Sequence, residues 1–273
     1  MRATAELWRV TPDDIRARLS ALERERGIAI LFAVESGSRA WGLASPDSDY
    51  DVRAVFVRPE DAYLSISPPS EDLSALDGDF DLGAWDLRKF LRLLRKSNAT
   101  PGEWLQSPVR YRGEEDAYAK LATLCRRHFH PRATLNHYRG LAKGAWAGFS
   151  DSGEGRLKKF FYVLRPLLAA SWVAERQTLP PMTFEALLVM LDEDIRPSIH
   201  ELVARKREVD EAYVTTLPDA VRTYVQNTFH ALEAADLART PQLDAADLDA
   251  YFRHSIRSAW SAGSITTTPE PAP

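Results

Sequence analysis

The sequence predicts an α+β chain, with strands and helices over the first hundred or so residues and helices alone thereafter. Three observations carry that expectation. Two apolar runs, Ile28-Ala-Ile-Leu-Phe-Ala-Val34 and Val52-Arg-Ala-Val-Phe-Val57, have the length and β-branched content of buried strands. Apolar residues then recur at helical spacing in Leu87, Phe90, Leu91 and Leu94. Beyond about residue 115 every periodic segment has the helical period.

Taken in order, Thr11 is the N-cap of a helix over 12–26, with Pro12 at the first helical position, Asp13 and Asp14 in the first turn, and Gly27 as its stop. Strands follow at 28–34 and 51–57. Segment 58–78 is rich in Pro, Ser and Asp and is expected to have little regular structure. A short strand is expected at 79–83, then a helix over 86–97 capped by Asp86. Asn98 reads as the residue closing that helix in the left-handed conformation, and a further short element begins at 103. Helices are expected at 156–175, kinked by Pro166, at 183–191 with Thr183 as cap, and near 195–209, 218–236 and 244–260. The threonine- and proline-rich 261–273 reads as a disordered tail. The expected domains are 1–112 and 113–260.

Composition narrows the function. The 273 residues carry a formal charge of −4, which argues against a dedicated nucleic-acid coat, although basic residues crowd 126–159. That crowding reads either as solvated helix faces or as a local polyanion surface. The longest apolar run is far short of the ~20 residues that span a bilayer, and no secretory leader is legible, so a cytoplasmic protein is expected. One cysteine, Cys125, excludes an internal disulfide framework and reads as a core thiol. His128, His130 and His137 lack the accompanying cysteines or acids of a zinc site.

Between the first two strands lies ESGSRAWGLASPDSDYDVR, residues 35–53. Gly37 and Gly42 have the spacing of a phosphate-cradling P-loop, but Leu43-Ala44 stands where lysine and a hydroxyl are needed. Asp47, Asp49 and Asp51 match the first ligands of an EF-hand, yet Val52 and Arg58 replace its glycine and bidentate glutamate. The remaining chemistry is phosphoryl transfer with divalent metal. Side chains two apart on a strand share a face, so Asp49 and Asp51 project together, and Gly37-Ser38 offers close backbone approach and a hydroxyl to a triphosphate. Asp47 reads as a turn residue.

Gly37-Ser38 followed by Asp49-Tyr-Asp51 resembles the signature of the DNA polymerase β-like nucleotidyltransferase superfamily. With DLGAWDLRKFLRLLRKSNATPGEWLQSP and LKKFFYVLRPLLAA in that order, residues 28–175 are similar to a bacterial and phage family of nucleotidyltransferases, some linked to RNA repair. The resemblance implies a small mixed sheet flanked by helices, followed by a helical domain. It implies transfer of a nucleoside monophosphate from an NTP, with release of pyrophosphate, supported by two Mg²⁺ ions or by Mn²⁺. Asp49, Asp51 and a third acid would hold the metal and perform catalysis. Asp81 is favoured as the third, with Asp77, Asp79 and Asp86 nearby. Arg39 either pairs with Glu35 or grips the triphosphate, and Lys89 is a phosphate or fold-support contact. On helix 156–175, Lys158, Tyr162 and Arg165 lie opposite the apolar stripe; Tyr162 would stack on the base while Lys158 and Arg165 hold phosphates, or the three form an exposed basic face. Glu103 and Trp104 read as structural. The acceptor is expected to be RNA, with protein nucleotidylation and a catalytically silent nucleotide-binding protein as rivals.

Overall fold

A computed structural model describes residues 10–147, 149, 153–239 and 241–261. The first half runs α1 (Pro12–Arg26), β1 (Ala29–Glu35), α2 (Gly37–Trp41), β2 (Tyr50–Val57), α3 (Glu60–Leu64), β3 (Asp72–Asp77), β4 (Phe80–Asp86), α4 (Leu87–Arg95), α5 (Ala99–Leu105) and β5 (Arg110–Gly113). The second half runs α6 (Glu115–Arg127), α7 (Pro131–Trp146), β6 (Glu154–Arg156), α8 (Leu157–Arg176), α9 (Phe184–Leu187), α10 (Arg196–Glu208), β7 (Val214–Thr216), α11 (Asp219–Ala234) and α12 (Ala246–Ser261).

The class is α+β, as expected. Five strands form a mixed sheet in the order β3-β4-β2-β1-β5. Only β2 and β4 are parallel, with Asp51 opposite Asp81 and Arg53 opposite Gly83; the remaining pairs are antiparallel. Alternation sets the two faces. Val52, Ala54 and Phe56 face Ile15 and Leu19 of α1. Val55 and Val57 face Phe90, Leu94 and Trp104 on one side of a core that also takes Leu121 of α6 and Leu248 and Ile256 of α12. The helices α7 to α11 enclose a separate core around Phe160, Phe161, Leu164 and Leu168 of α8.

Local signals act where they were read. Thr11 and Asp14 form a reciprocal capping box, and Gly27 closes α1 with φ 57°. Asp86 accepts from the Arg88 backbone N–H at 2.8 Å and caps α4. Cys125 is buried, and burial pushes its thiol up to about 12.

Other expectations are corrected. Segment 58–78 holds α3 and β3, the latter paired with β4 from Phe80 to Trp85; its polar composition belongs to an edge strand exposed at all but one of its residues. Asn98 does not close α4. Ser97 takes the left-handed turn at φ 54°, and Asn98 caps α5 by accepting from the Thr100 backbone N–H at 2.9 Å. The region past 115 is not purely helical, because β6 and β7 pair as a two-stranded ribbon. The expected helix over 183–191 is a single turn followed by a 3₁₀ turn, without a side-chain cap from Thr183. Residues 262–273 of the expected tail lie outside the described residues. No described helix is long and apolar enough to cross a membrane.

Candidate active site

The parallel pairing of β2 with β4 places Asp51 and Asp81 side by side at the entry to both strands. One guanidinium joins them: Arg53 Nη2 donates to Asp51 Oδ1 at 2.9 Å and to Asp81 Oδ2 at 2.8 Å, while Nη1 donates to the carbonyls of Val52 and Asp81. Gly83 lies opposite Arg53, and a Cβ there would meet Arg53 Cδ at an ordinary contact distance of 3.4 Å. Two carboxylates within reach of a single cationic nitrogen form a site that neutralises positive charge.

Gly37 closes the site from the other side. Its φ is +59°, and a Cβ at this position would lie 2.0 Å from Asp51 Oδ2. Glycine is therefore required twice over, for the left-handed backbone and for the space taken by the carboxylate. Beneath it, buried Glu35 accepts from the Asp51 backbone N–H at 2.8 Å and from the Tyr111 hydroxyl, which fixes where β2 presents Asp51. Burial drives the Glu35 pKa upward against both of these hydrogen bonds. The Asp51 carboxyl is also raised, first by burial and then by Asp81 and Asp49, with Arg53 opposing.

Asp49 precedes β2 and is exposed. Its carboxyl is raised by partial burial and by the charge of Glu211, against the pull of Lys158. Arg39 neither pairs with Glu35 nor points its guanidinium at open space. It donates to the Asp49 carbonyl at 3.0 Å and the Ser48 carbonyl at 2.6 Å, and lies 3.9 Å over the Tyr50 ring. Arg39 thus shapes the loop that delivers Asp49. Ser38 is buried within α2.

The helical half reaches the same loop. Lys158, at the start of α8, is ion-paired with Glu211. Ser48 donates to Glu211 at 3.3 Å, and the Glu211 backbone N–H donates to Asp47 at 3.0 Å. Buried Lys206 of α10 binds Ser45. Burial pulls the Lys158 ammonium down, but Glu211, Tyr162 and Asp49 together leave it raised. Tyr162 is 37 % exposed and packs edge-on against Trp41 of α2, with ring centroids 5.1 Å apart. Its phenol is raised by burial, with Asp51 among the charges it feels.

Two expected site residues are not brought here. Arg165 is 2 % exposed; it pairs with Glu103 at 2.7 Å, donates twice to the Met182 carbonyl and lies over Trp41. The reading of 158, 162 and 165 as one outward face fails at Arg165, because α5 and the 182 segment cover that part of α8. Lys89 follows β4 at the end opposite Asp81, five residues or about 16 Å along the strand. There it pairs with Asp72 and lies over Trp85. Asp86, at that same far end, is bound by Tyr63 and the α4 backbone.

Among the described residues no group of three or more His, Cys, Asp or Glu is gathered closely enough to hold a metal ion. Asp51 and Asp81 form a pair that Asp49 does not join. The donor chemistry nonetheless fits Mg²⁺, which is commonly held by one or two carboxylates together with substrate phosphates rather than by an all-protein cage. Arg53 and Glu211 were missed by sequence reading. The alternation Asp51-x-Arg53 places both side chains on one face but does not tell a solvated arginine from one that bridges two acids; Glu211 lies 160 residues from the motif, and no local pattern marks it.

The model of the RNA repair pathway DNA polymerase beta family, RlaP, matches residues 12–254. The uncharacterised protein YcgL of Bacillus subtilis is 33 % identical over 250 residues, 90 % of this chain and 96 % of that protein. The uncharacterised protein MJ0002 of Methanocaldococcus jannaschii is 27 % identical over 192 residues, 67 % of this chain and 76 % of its own length. A crystal structure of a nucleotidyltransferase-like protein from Exiguobacterium sibiricum aligns with a TM-score of 0.31 at 12 % identity, covering 90 % of this chain and 77 % of that one.

Proposed function

The chain belongs to the RNA repair pathway DNA polymerase beta family, and from that premise we propose that it transfers a nucleoside monophosphate from an NTP to a hydroxyl of RNA, with Mg²⁺ as cofactor. The observation that carries this reading is the carboxylate pair Asp51–Asp81, shared by one cation and set against the bare Cα of Gly37. Asp49, on the adjoining loop and outside that pair in this structure, would join it as the third acid once metal is bound.

In the proposed reaction an acceptor oxygen attacks the α-phosphorus, the bond from that phosphorus to the bridging oxygen breaks, and pyrophosphate leaves. Mg²⁺, when bound, would neutralise charge on the triphosphate and lower the pKa of the attacking hydroxyl. Asp81 takes the proton from that hydroxyl. Gly37 and Ser38 let the triphosphate approach the backbone. Lys158 turns from Glu211 toward phosphate oxygens, and Tyr162 receives the base on its exposed face. Asp51 and Asp81 would hold the metal, and Arg53, which bridges them here, would give up that bridge and stay beside them. The protein's contribution is thus positioning and charge, as in phosphoryl transfer generally.

Purified protein with Mg²⁺, labelled NTP and RNA should release pyrophosphate and label the RNA. Asp49→Asn with Asp51→Asn should abolish both signals and leave thermal unfolding nearly unchanged or slightly raised, because both carboxyls are held above their ordinary range in the folded chain. The sign follows from linkage: an acid with a raised folded pKa favours the folded state only at low pH, and that contribution is lost as pH rises through the folded pKa. At neutral pH the ionised pair is a liability that asparagine removes. Full activity in the double variant, or label appearing only on protein, refutes the assignment.

A further inference from the structure

A cleft of about 350 Å³ lies between the end of α4, the start of α7 and the residues Arg239 and Gln242. Arg95, Lys96, Arg132 and Arg239 line it together with His130 and Asn136, and no described residue lining it is acidic. Asp236, largely exposed, pairs with Arg132 at 3.1 Å.

The cleft is built rather than incidental. Arg132 donates to the Leu237 carbonyl at 3.2 Å, Arg95 to the Leu243 carbonyl at 3.4 Å, and Gln242 to the Arg95 carbonyl at 3.1 Å. These bonds hold the two guanidiniums by one edge and leave other N–H groups turned elsewhere. Arg95 Nε and both ring nitrogens of His130 are shielded from solvent without a hydrogen-bond partner. The His130 backbone N–H is already used by Ser97, at 2.8 Å. The 16-residue α7 begins here with no acid in its first turn and no side-chain cap, which adds further positive potential. Four cations around one cavity call for an anion with several acceptor oxygens, and arginine forks match phosphate.

The cleft stands at a definite distance from the acids. Tyr138 of α7 and Arg165 of α8 share Glu103, so the two helices are level there. From Lys158 to Arg165, and from Tyr138 back to Arg132, thirteen residues at about 1.5 Å each separate the cleft from Lys158, whose charge acts on Asp49 and Asp51, by on the order of 20 Å along the helices. That span exceeds the reach of one bound nucleotide and suits a polynucleotide.

We propose that this cleft binds backbone phosphates of a single-stranded RNA acceptor whose end lies at Asp51 and Asp81. The identity of the acceptor rests on the function proposed above; the phosphate site stands on its own geometry. Lys96 and Arg239 are exposed and serve as the probe, since their side chains make no hydrogen bond or ion pair with described residues and their loss should not unfold the chain.

The experiment measures fluorescence anisotropy of an end-labelled single-stranded oligoribonucleotide across a salt series. Lys96→Ala with Arg239→Ala should weaken binding several-fold and reduce the slope of log affinity against log salt by about 1.4, two contacts at about 0.7 each. Lys96→Arg with Arg239→Lys should keep the native slope. An unchanged slope in the alanine variant overturns the proposal. So does complete displacement of RNA by inorganic tripolyphosphate with no dependence on RNA length, which would mark a small-anion site. Pyrophosphate release with a mononucleoside acceptor, too short to reach the cleft, reports separately on the catalytic reading. Loss of that activity in wild-type protein with the salt-slope change intact would refute the chemistry and leave the phosphate site standing.

Discussion

Gly37 is the residue at which backbone conformation and site chemistry meet. The chain needs a left-handed residue to turn from β1 into α2, and Asp51 needs the volume that any Cβ would fill. Gly37→Ala should therefore cost at least about 1–2 kcal/mol from the backbone alone, and the added methyl should push the Asp51 carboxylate away from Arg53. The expected outcome is a lower midpoint in denaturant titration together with loss of nucleotidyl transfer. If transfer survives at the native rate, the contact between Gly37 and Asp51 has no part in positioning the acid. Glycine at this position was legible in the sequence, because Gly-Ser after an apolar run and before alternating acids has few structural uses. Arg53 was not, because an arginine within a strand looks the same whether it points at solvent or bridges two carboxylates. Only the register of β2 on β4 settles that difference.

At the scale of elements, the contact between α5, α7 and α8 depends on one buried ion pair. Glu103 accepts from Arg165 at 2.7 Å and from the Tyr138 hydroxyl at 2.8 Å, and Arg165 also binds the Met182 carbonyl. The two side chains are 3 % and 14 % exposed. Breaking a buried pair by removing one partner leaves the other charge uncompensated, typically at about 3–5 kcal/mol. Arg165→Met should destabilise by that order in equilibrium unfolding. Arg165→Met with Glu103→Gln should recover much of the loss, because neither charge is then stranded. A single variant as stable as wild type would show that the pair is neutral in the fold. Sequence periodicity placed Arg165 on the polar side of α8 and stopped there. Burial of that side by α5 and the 182 segment is a matter of packing between elements distant in sequence, which periodicity does not encode. Lys89 illustrates the same point: its place in the chain is close to the motif, but a seven-residue strand carries it to the far end of the sheet.

Across the whole molecule, the last described helix returns to the first sheet. Leu248 and Ile256 of α12 enter the core behind Val55 and Val57, and Phe252 packs on Tyr63. Asp247 secures this return by binding fully buried His128 at 3.0 and 3.1 Å, with Arg127 alongside. Partial burial raises the Asp247 carboxyl, but His128, the Leu248 backbone N–H and Arg127 outweigh it and leave the group below its ordinary value. A lowered folded pKa gives stability that is present above the unfolded value, about 4, and is lost as pH falls through the folded one. Asp247→Asn should thus reduce stability near neutral pH by about 1.5–3 kcal/mol, the range for hydrogen bonds to charged groups, and the gap to wild type should shrink below pH 4. Equal pH profiles for the two proteins would remove Asp247 from the account of how α12 is held.

What the sequence by itself determined is local: the caps of α1 and α4, the buried strands, the Gly-Ser turn and the acids that follow it. These follow from propensities and spacings within a dozen residues, where a side chain's effect on its own backbone is enough. The tertiary structure decided which acids meet, because Asp51 and Asp81 become neighbours only through parallel pairing across twenty-nine intervening residues. It also decided that Glu211 and Lys206 anchor the loop of Asp49, that Arg165 is internal, and that cations from α4, α7 and the 239 segment surround one cleft. Charges interact through space over a few ångströms, and only the folded chain sets those distances.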